Sequence, residues 1–357
     1  MPQTELIINK HFIGEAHPTY FIADIAANHD GSLDRAKRLV TLAKEAGANA
    51  AKFQNFTAET IVSNYGFQSL GIQQSHQKKW KKSVFEVYKD ASVPFHWTQH
   101  LKDHCYQIGI DYFSAPYNLD AVDSLEDHIP AYKIGSGDIT WLDIIEKIAQ
   151  KGKPVLLATG AATMKDVQRA VDIVLKHNHR LVLMQCNTNY TASLENFKYI
   201  NLNVLATYQQ SFPGLVYGLS DHTPGHATVL GAITLGARVI EKHFTDDNNR
   251  KGPDHPFSMN PETWKDMVDR SRELERALGD GVKRIEGNET ETVVLQQRAI
   301  RVSQDLVKGD RISLDNIEVL RPCPKDACKP YESANLLGKP LSTSVKKGDY
   351  LRPESVG

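Results

Sequence analysis

The chain of 357 residues is 41% hydrophobic and carries a formal net charge of −1, enough for one α/β domain of about 250 residues plus a small second one. That charge balance excludes a general field for nucleic acid or a membrane surface, so an anionic ligand must be held by local lysines and backbone amides. Cys105, Cys186, Cys323 and Cys328 form no CxxC pair, which reads as cytosolic thiols rather than a disulfide framework. The stretch up to Tyr20 mixes His11, Glu15 and His17 into its apolar positions, unlike a signal peptide, and no run reaches the ~18 apolar residues of a membrane span. The expectation is a soluble, cytoplasmic protein.

In chain order, residues 6–13 read as a short hairpin. Strand-like apolar runs follow at 20–27, 50–54, 111–114, 131–134, 154–158, 181–185, 215–218 and 239–242, with helical periodicity at 32–46, 142–150, 164–176 and 226–237. Ser32 is the candidate N-cap of the first helix and Gly47 its stop. Eight strands mostly alternating with helices over 20–280 predict a (β/α)8 TIM barrel. The polar and aromatic stretch 55–82 is long for a βα connection and is a candidate active-site loop. After a helical 261–278, the glycine-rich and charged 279–291 has the composition of a linker. The division expected is 1–280 for hairpin and barrel, 281–295 for the linker and 296–357 for a small β-rich domain. That domain holds a weak repeat: Leu306-Val-Lys-Gly-Asp310 leads to Leu320-Arg-Pro322, and Val345-Lys-Lys-Gly-Asp349 to Leu351-Arg-Pro353.

The chemistry collects at the strand ends, where barrel active sites lie. Tyr217-Gly-Leu-Ser-Asp-His222 and Val239-Ile-Glu-Lys-His243 each bring a histidine to a strand's C-terminal end. Two imidazoles on neighbouring strands suit a divalent metal with positions left open; their spacing alone equally fits histidines satisfied by hydrogen bonds. Asp24 on the first strand leads into Asn28-His-Asp-Gly31, an acidic and amide-rich mouth or an ordinary turn. Lys52 and Gln54 share one face of the second strand. Lys133-Ile-Gly-Ser136-Gly-Asp138 and Thr159-Gly160 supply a lysine, hydroxyls and close-approaching amides suited to an oxyanion, although Gly-Ser-Gly is equally common in ordinary turns. Asp138 is either a general base or a cap for the next helix. Cys186-Asn-Thr188-Asn-Tyr190 adds amide, hydroxyl and phenol groups.

Together and in order, Asn28-His29, Lys52-Phe-Gln54, Tyr132-Lys-Ile-Gly-Ser136, Thr159-Gly160, Gly218-Leu-Ser-Asp-His-Thr223, Glu241-Lys-His-Phe-Thr245, Gly252-Pro-Asp254 and Leu320-Arg-Pro322 carry a resemblance to a known family. The chain resembles the sialic acid (nonulosonate) synthases, barrels followed by an antifreeze-like (SAF) β-clip domain that condense phosphoenolpyruvate with an N-acetylated mannose-type sugar. The resemblance implies that His222 and His243 bind manganese or magnesium, and that Lys52, Lys133, Ser136 and Ser220 hold phosphoenolpyruvate. It implies that Gln54, Tyr190 and Asp254 line the sugar site. It also implies that Arg321 reaches into the partner's barrel of a domain-swapped homodimer, holding the acetamido group. The chain departs from the family at Asp24 and Asp138, which stand where glutamate is usual, at Ala158 before Thr159, and in Cys186-Asn-Thr-Asn189. Another metal-dependent aldolase or 3-deoxy-sugar acid synthase would share the mouth without needing Arg321. A carbohydrate-binding module would rest on the tail alone.

Overall fold

A computed structural model describes residues 5–70, 77 and 80–357, and divides the chain into two compact units, Met1–Gly279 and Asp280–Gly357. The first unit opens with an antiparallel hairpin, β1 (Glu5–Ile8) and β2 (His11–Gly14). Eight parallel strands follow: β3 (Tyr20–Asp24), β4 (Ala50–Asn55), β5 (Asp111–Pro116), β6 (Tyr132–Ile134), β7 (Val155–Ala158), β8 (Leu181–Cys186), β9 (Val216–Asp221) and β10 (Ala237–His243). They are hydrogen-bonded in the order β5-β4-β3-β10-β9-β8-β7-β6, and β5 lies beside β6 across the remaining seam. The result is the expected TIM barrel. No helix among the described residues is long and apolar enough to cross a membrane.

Strands buried on both faces need near-continuous apolar runs, and each is followed by a helix that covers its outer side. Local signals set the helix ends. Ser32 Oγ accepts from Arg35 N at 3.3 Å to start Leu33–Glu45. Thr163 and Asp166 form a reciprocal box at the start of Met164–His177. Asn260 caps Pro261–Leu278, with proline at the first helical position, where its missing N–H costs nothing. The outer core lies between strands and helices, from Phe21 and Leu39 through Ile145 and Val171 to Trp264. The inner core joins Leu6, Ile8 and Ile13 of the hairpin to Tyr20, Ile22, Ala50, Phe113, Ala131, Leu156, Val182, Met184 and Val239. The hairpin therefore stops the end of the barrel opposite the strand C-termini. Its turn is tied to β5, because Asn9 Nδ2 donates to Asp111 Oδ1 at 2.7 Å while Tyr20 Oη donates to Oδ2 at 2.6 Å.

Two boundaries differ from the sequence reading. β3 stops at Asp24 instead of running to 27, because Ala26 takes φ 42°, a left-handed conformation no strand contains. Residues 55–82 hold short helices at Ala58–Ile61 and Asn64–Ser69, while 71–76 and 78–79 of that expected active-site loop lie outside the described residues.

In the second unit, β11 (Ala299–Val302) pairs antiparallel with β12 (Ile317–Leu320). The sequence repeat has a physical form: Leu306 and Val345 exchange backbone bonds of 2.9 and 2.8 Å. Each is followed by a Lys-Gly-Asp turn with glycine in the left-handed region, Gly309 at φ 96° and Gly348 at φ 84°. Part of the segment read as linker is a helix, Thr290–Gln296, and Cys323 N bonds to Val294 O at 2.8 Å, so the helix belongs to this unit.

Candidate active site

Side chains on a strand alternate faces, so the residues two beyond the inner apolar layer form the next layer toward the strand C-termini. Ile22 gives way to Asp24, Ala50 to Lys52, Ala131 to Lys133, Met184 to Cys186 and Val239 to Glu241. Four of these five are charged and all are buried. Removing charges from water costs several kcal/mol per ion, and an apolar layer would serve stability as well. Charges here make this layer a candidate functional site.

Lys52 Nζ donates to Asp24 Oδ2 at 2.6 Å, and Gln54 Nε2 reaches the same oxygen at 3.0 Å. Glu241 Oε1 lies 3.2 Å from Lys133 Nζ and 3.9 Å from Lys52 Nζ, and Ser220 Oγ donates to it at 3.3 Å. Burial works to raise the pKa of Asp24, but Lys52, His243 and Gln54 outweigh it and hold the carboxyl below its usual value. Burial likewise works against the charge on Lys52, and Asp24 and Glu241 reverse it, so its pKa is raised. Asp24 is therefore committed as a partner of Lys52, and a group held so firmly ionised is poorly suited to taking up a proton. Glu241 was not singled out as a site residue in the sequence, although it sits two residues before His243 on the same strand face. Its second oxygen, Oε2, is buried without a hydrogen-bond partner among the described residues.

Above this layer stand the two imidazoles, with ring centroids 5.3 Å apart. Burial holds His222 below the ordinary histidine range despite the Asn187 carbonyl and Asp221. It pushes His243 down to about 3, outweighing Asp24, so both rings are neutral at pH 7. His222 Nδ1 lies 3.0 Å from the Asn187 carbonyl. In a neutral ring that makes Nδ1 the donor and leaves Nε2 a bare lone pair, as in metal-binding histidines. His243 Nδ1 is buried and without a hydrogen-bond partner among the described residues, 3.8 Å from Asp254 Oδ2. Neutral rings, one with its tautomer fixed and one with an orphaned nitrogen, fit a divalent ion by donor chemistry. Among the described residues no group of three or more His, Cys, Asp or Glu forms a ready-made metal cage.

Tyr190 packs its ring 4.4 Å from His222 and 6.2 Å from His243, and Phe257, another residue not foreseen, lies 5.0 Å from His243. Ser136 Oγ accepts from Gly160 N at 2.9 Å. A Cβ on Gly160 would come within 2.9 Å of both Ser136 Oγ and Thr188 Oγ1 and 3.0 Å of Cys186 Sγ. Only glycine leaves that polar cradle open. Thr159, expected beside it, is turned into the wall, where its hydroxyl bonds Met184 O and receives Tyr208 Oη, both at 2.9 Å. Asn28 and His29 are also drawn inward instead of lining a mouth: Asn28 Nδ2 bonds Phe244 O and Ser258 Oγ, each at 2.9 Å, and His29 lies 3.2 Å from Ala91 O.

Asp138 sits in the turn Ser136–Asp138. It does not cap the following helix, whose N-cap Trp141 has no side-chain cap bond. Burial pushes its carboxyl up to about 6, against the pull of Lys133. Asp254 is pushed up to about 7, again chiefly by burial. Its loop is clamped across the mouth by Asp30, which pairs with Arg250 at 2.7 Å and with His255 at 3.0 Å, and Asp254 Oδ2 accepts from Ala27 N at 3.2 Å. Arg321 belongs to the second unit, where it is exposed and without an ion pair or side-chain hydrogen bond among the described residues. Arg352, at the matching place in the repeat, stacks over Tyr350 at 3.9 Å and bonds Asp326 at 3.1 Å.

A barrel whose open end carries buried lysines, a carboxyl pushed up by burial and two neutral imidazoles has the architecture of an enzyme. The chain belongs to the NeuB family, whose pattern matches residues 39–283, and residues 297–356 match the SAF domain. It is 34% identical over 349 residues to N,N'-diacetyllegionaminic acid synthase of Legionella pneumophila, covering 96% of both chains. It is 33% identical over 336 residues to pseudaminic acid synthase of Campylobacter jejuni, covering 93% of this chain and 95% of that one. The crystal structure of the sialic acid synthetase of Leptospira borgpetersenii, in complex with citrate, superimposes with a TM-score of 0.70 at 25% identity. That match covers 82% of this chain and 96% of the other.

Proposed function

We propose that this protein condenses phosphoenolpyruvate with an N-acetylated mannose-type sugar, or a related diacetamido-trideoxy sugar, giving a nine-carbon nonulosonic acid and inorganic phosphate. The observation that carries the reading is the layer of Lys52, Lys133, Asp24 and Glu241 directly beneath two neutral imidazoles. Lys52 and Lys133, with the Ser136 and Ser220 hydroxyls and the amides beside Gly160, hold the phosphate and carboxylate of the enol phosphate in a water-poor floor where such contacts are strong. Gln54, Thr188, Tyr190 and Asp254 surround the acceptor sugar. His222 and His243 hold manganese or magnesium, which supplies Lewis-acid polarisation of an aldehyde oxygen. With the acceptor so placed, the C2=C3 pair of the enol phosphate forms the new bond from C3 to the aldehyde carbon, the C=O pair moves onto the aldehyde oxygen, which takes up a proton to become a hydroxyl, and C2 is left cationic. Water adds at C2 as Asp138 takes its proton, and the C2–O bond to phosphate then breaks to release inorganic phosphate and leave a ketone. Phosphate release with phosphoenolpyruvate, manganese and a panel of these sugars, followed by product mass spectrometry, tests the reading. A nonulosonic acid formed with one of them is the expected result, and release independent of sugar would overturn it.

Arg321 completes the acceptor side from the partner of a domain-swapped homodimer; its freedom, where Arg352 is tied down, supports this. Its loss removes charge-assisted hydrogen bonds of ~1.5–3 kcal/mol. Arg321→Ala is therefore expected to raise KM for the sugar about 10–100-fold while leaving that for phosphoenolpyruvate nearly unchanged. Mixing it with inactive His222→Ala protein should restore part of the activity. No recovery after verified subunit exchange would mean that each tail serves its own barrel.

A further inference from the structure

Behind the histidines, on the opposite face of the same two strands, lies an ion pair that the reaction does not touch. Asp221 and Lys242 are register partners on β9 and β10, each immediately before a histidine, and their side chains are 1% exposed. Lys242 Nζ donates to Asp221 Oδ2 and, at 2.6 Å, to the carbonyl of Thr223, the residue just after His222. Asp221 Oδ2 also accepts from Thr223 Oγ1 at 2.7 Å and from Thr228 Oγ1 at 2.8 Å, and Oδ1 accepts from Thr223 N at 3.2 Å. Thr228 lies on the helix Ala227–Thr234, so the carboxylate gathers the end of β9, the turn after it and the helix that follows, while the ammonium binds that assembly to β10.

A buried ion pair is a poor device for stability, since well-packed apolar side chains do as well. It is a good device for register, because a slip of one residue would separate the charges inside the protein. The register it fixes is the one that sets His222 beside His243. We infer that Asp221 and Lys242 are positioning residues that hold the two imidazoles at chelating separation, so that divalent-ion affinity depends on a pair that never contacts the ion. The inference rests on the metal reading given above.

Lys242→Met alone strands Asp221 without its partner and is expected to destabilise the protein, which would not be informative by itself. The decisive variant is Asp221→Leu with Lys242→Met, in which no buried charge remains and the Thr223 and Thr228 hydroxyls, 2.9 Å apart, still bond each other. Manganese(II) alone is titrated into full-length wild type, the double variant and His222→Ala by calorimetry, alongside melting temperatures and amide exchange of peptides 219–224 and 240–245. The expected result is a double variant that melts close to wild type, exchanges faster in those peptides and binds manganese about 10–100-fold more weakly, the usual cost of losing support behind a metal ligand. A folded double variant with wild-type affinity, while His222→Ala has lost binding, would overturn the positioning role alone. His222→Ala binding as tightly as wild type would remove the metal reading and this inference with it. A double variant that does not fold would assign the pair to stability instead.

Discussion

Replacing His222 or His243 by alanine is expected to lower the rate of phosphate release by ~10³-fold or more, the several kcal/mol that Lewis-acid stabilisation supplies. The fold should survive. Both side chains stand above the apolar layers, and neither ring belongs to a core cluster, so circular dichroism and melting temperature should stay near wild type. Chelation of the wild-type enzyme should reproduce the loss, and manganese should reverse it. Turnover that persists after exhaustive chelation would defeat the assignment of both histidines.

Asp138→Asn is expected to lower kcat by ~10²–10⁴-fold with little change in binding, as for a lost general base. Its carboxyl, pushed up to about 6, also sets a pH limb. The base works as the carboxylate, so wild-type kcat should fall as pH drops through about 6, and the variant should lack that limb. Acid unfolding at this group does not imitate the effect. A carboxyl whose folded pKa is raised stabilises the fold in its protonated form and loses that contribution as pH rises, the opposite direction to the activity loss. A variant with near-native kcat, or with the limb intact, would exclude Asp138 as the base.

The barrel was legible because its evidence is local. Period-two and helical patterns lie within single elements, and His222 and His243 were readable because both stand where an apolar run ends. What escaped notice depends on contacts across the chain. Glu241 gains its meaning from Lys133 on β6 and Lys52 on β4, neither of which a local window contains. Thr159 follows its strand as expected, yet Tyr208, from a helix 49 residues later, draws its hydroxyl into the wall. Asn28 and His29 resemble an open turn in sequence, but their side chains satisfy the backbone carbonyls of Phe244, which is buried, and Ala91, which is partly so. Asp138 was ambiguous between base and cap. The missing cap bond at the N-cap Trp141 removes the second of these readings.

The hairpin beneath the barrel has a consequence for traffic. With Ile8 and Ile13 fully buried in the inner core, the hairpin covers the end of the barrel opposite the strand C-termini, and the charged layer faces the other end. If Lys52 and Lys133 hold the anion as proposed, it would enter before the molecule above it and depart after that molecule has gone. First in is last out. For the proposed reaction, the small anion takes its place ahead of the sugar, and the newly freed phosphate waits beneath the finished nine-carbon acid, so that turnover is a queue imposed by four short residues of hairpin on either side of a turn.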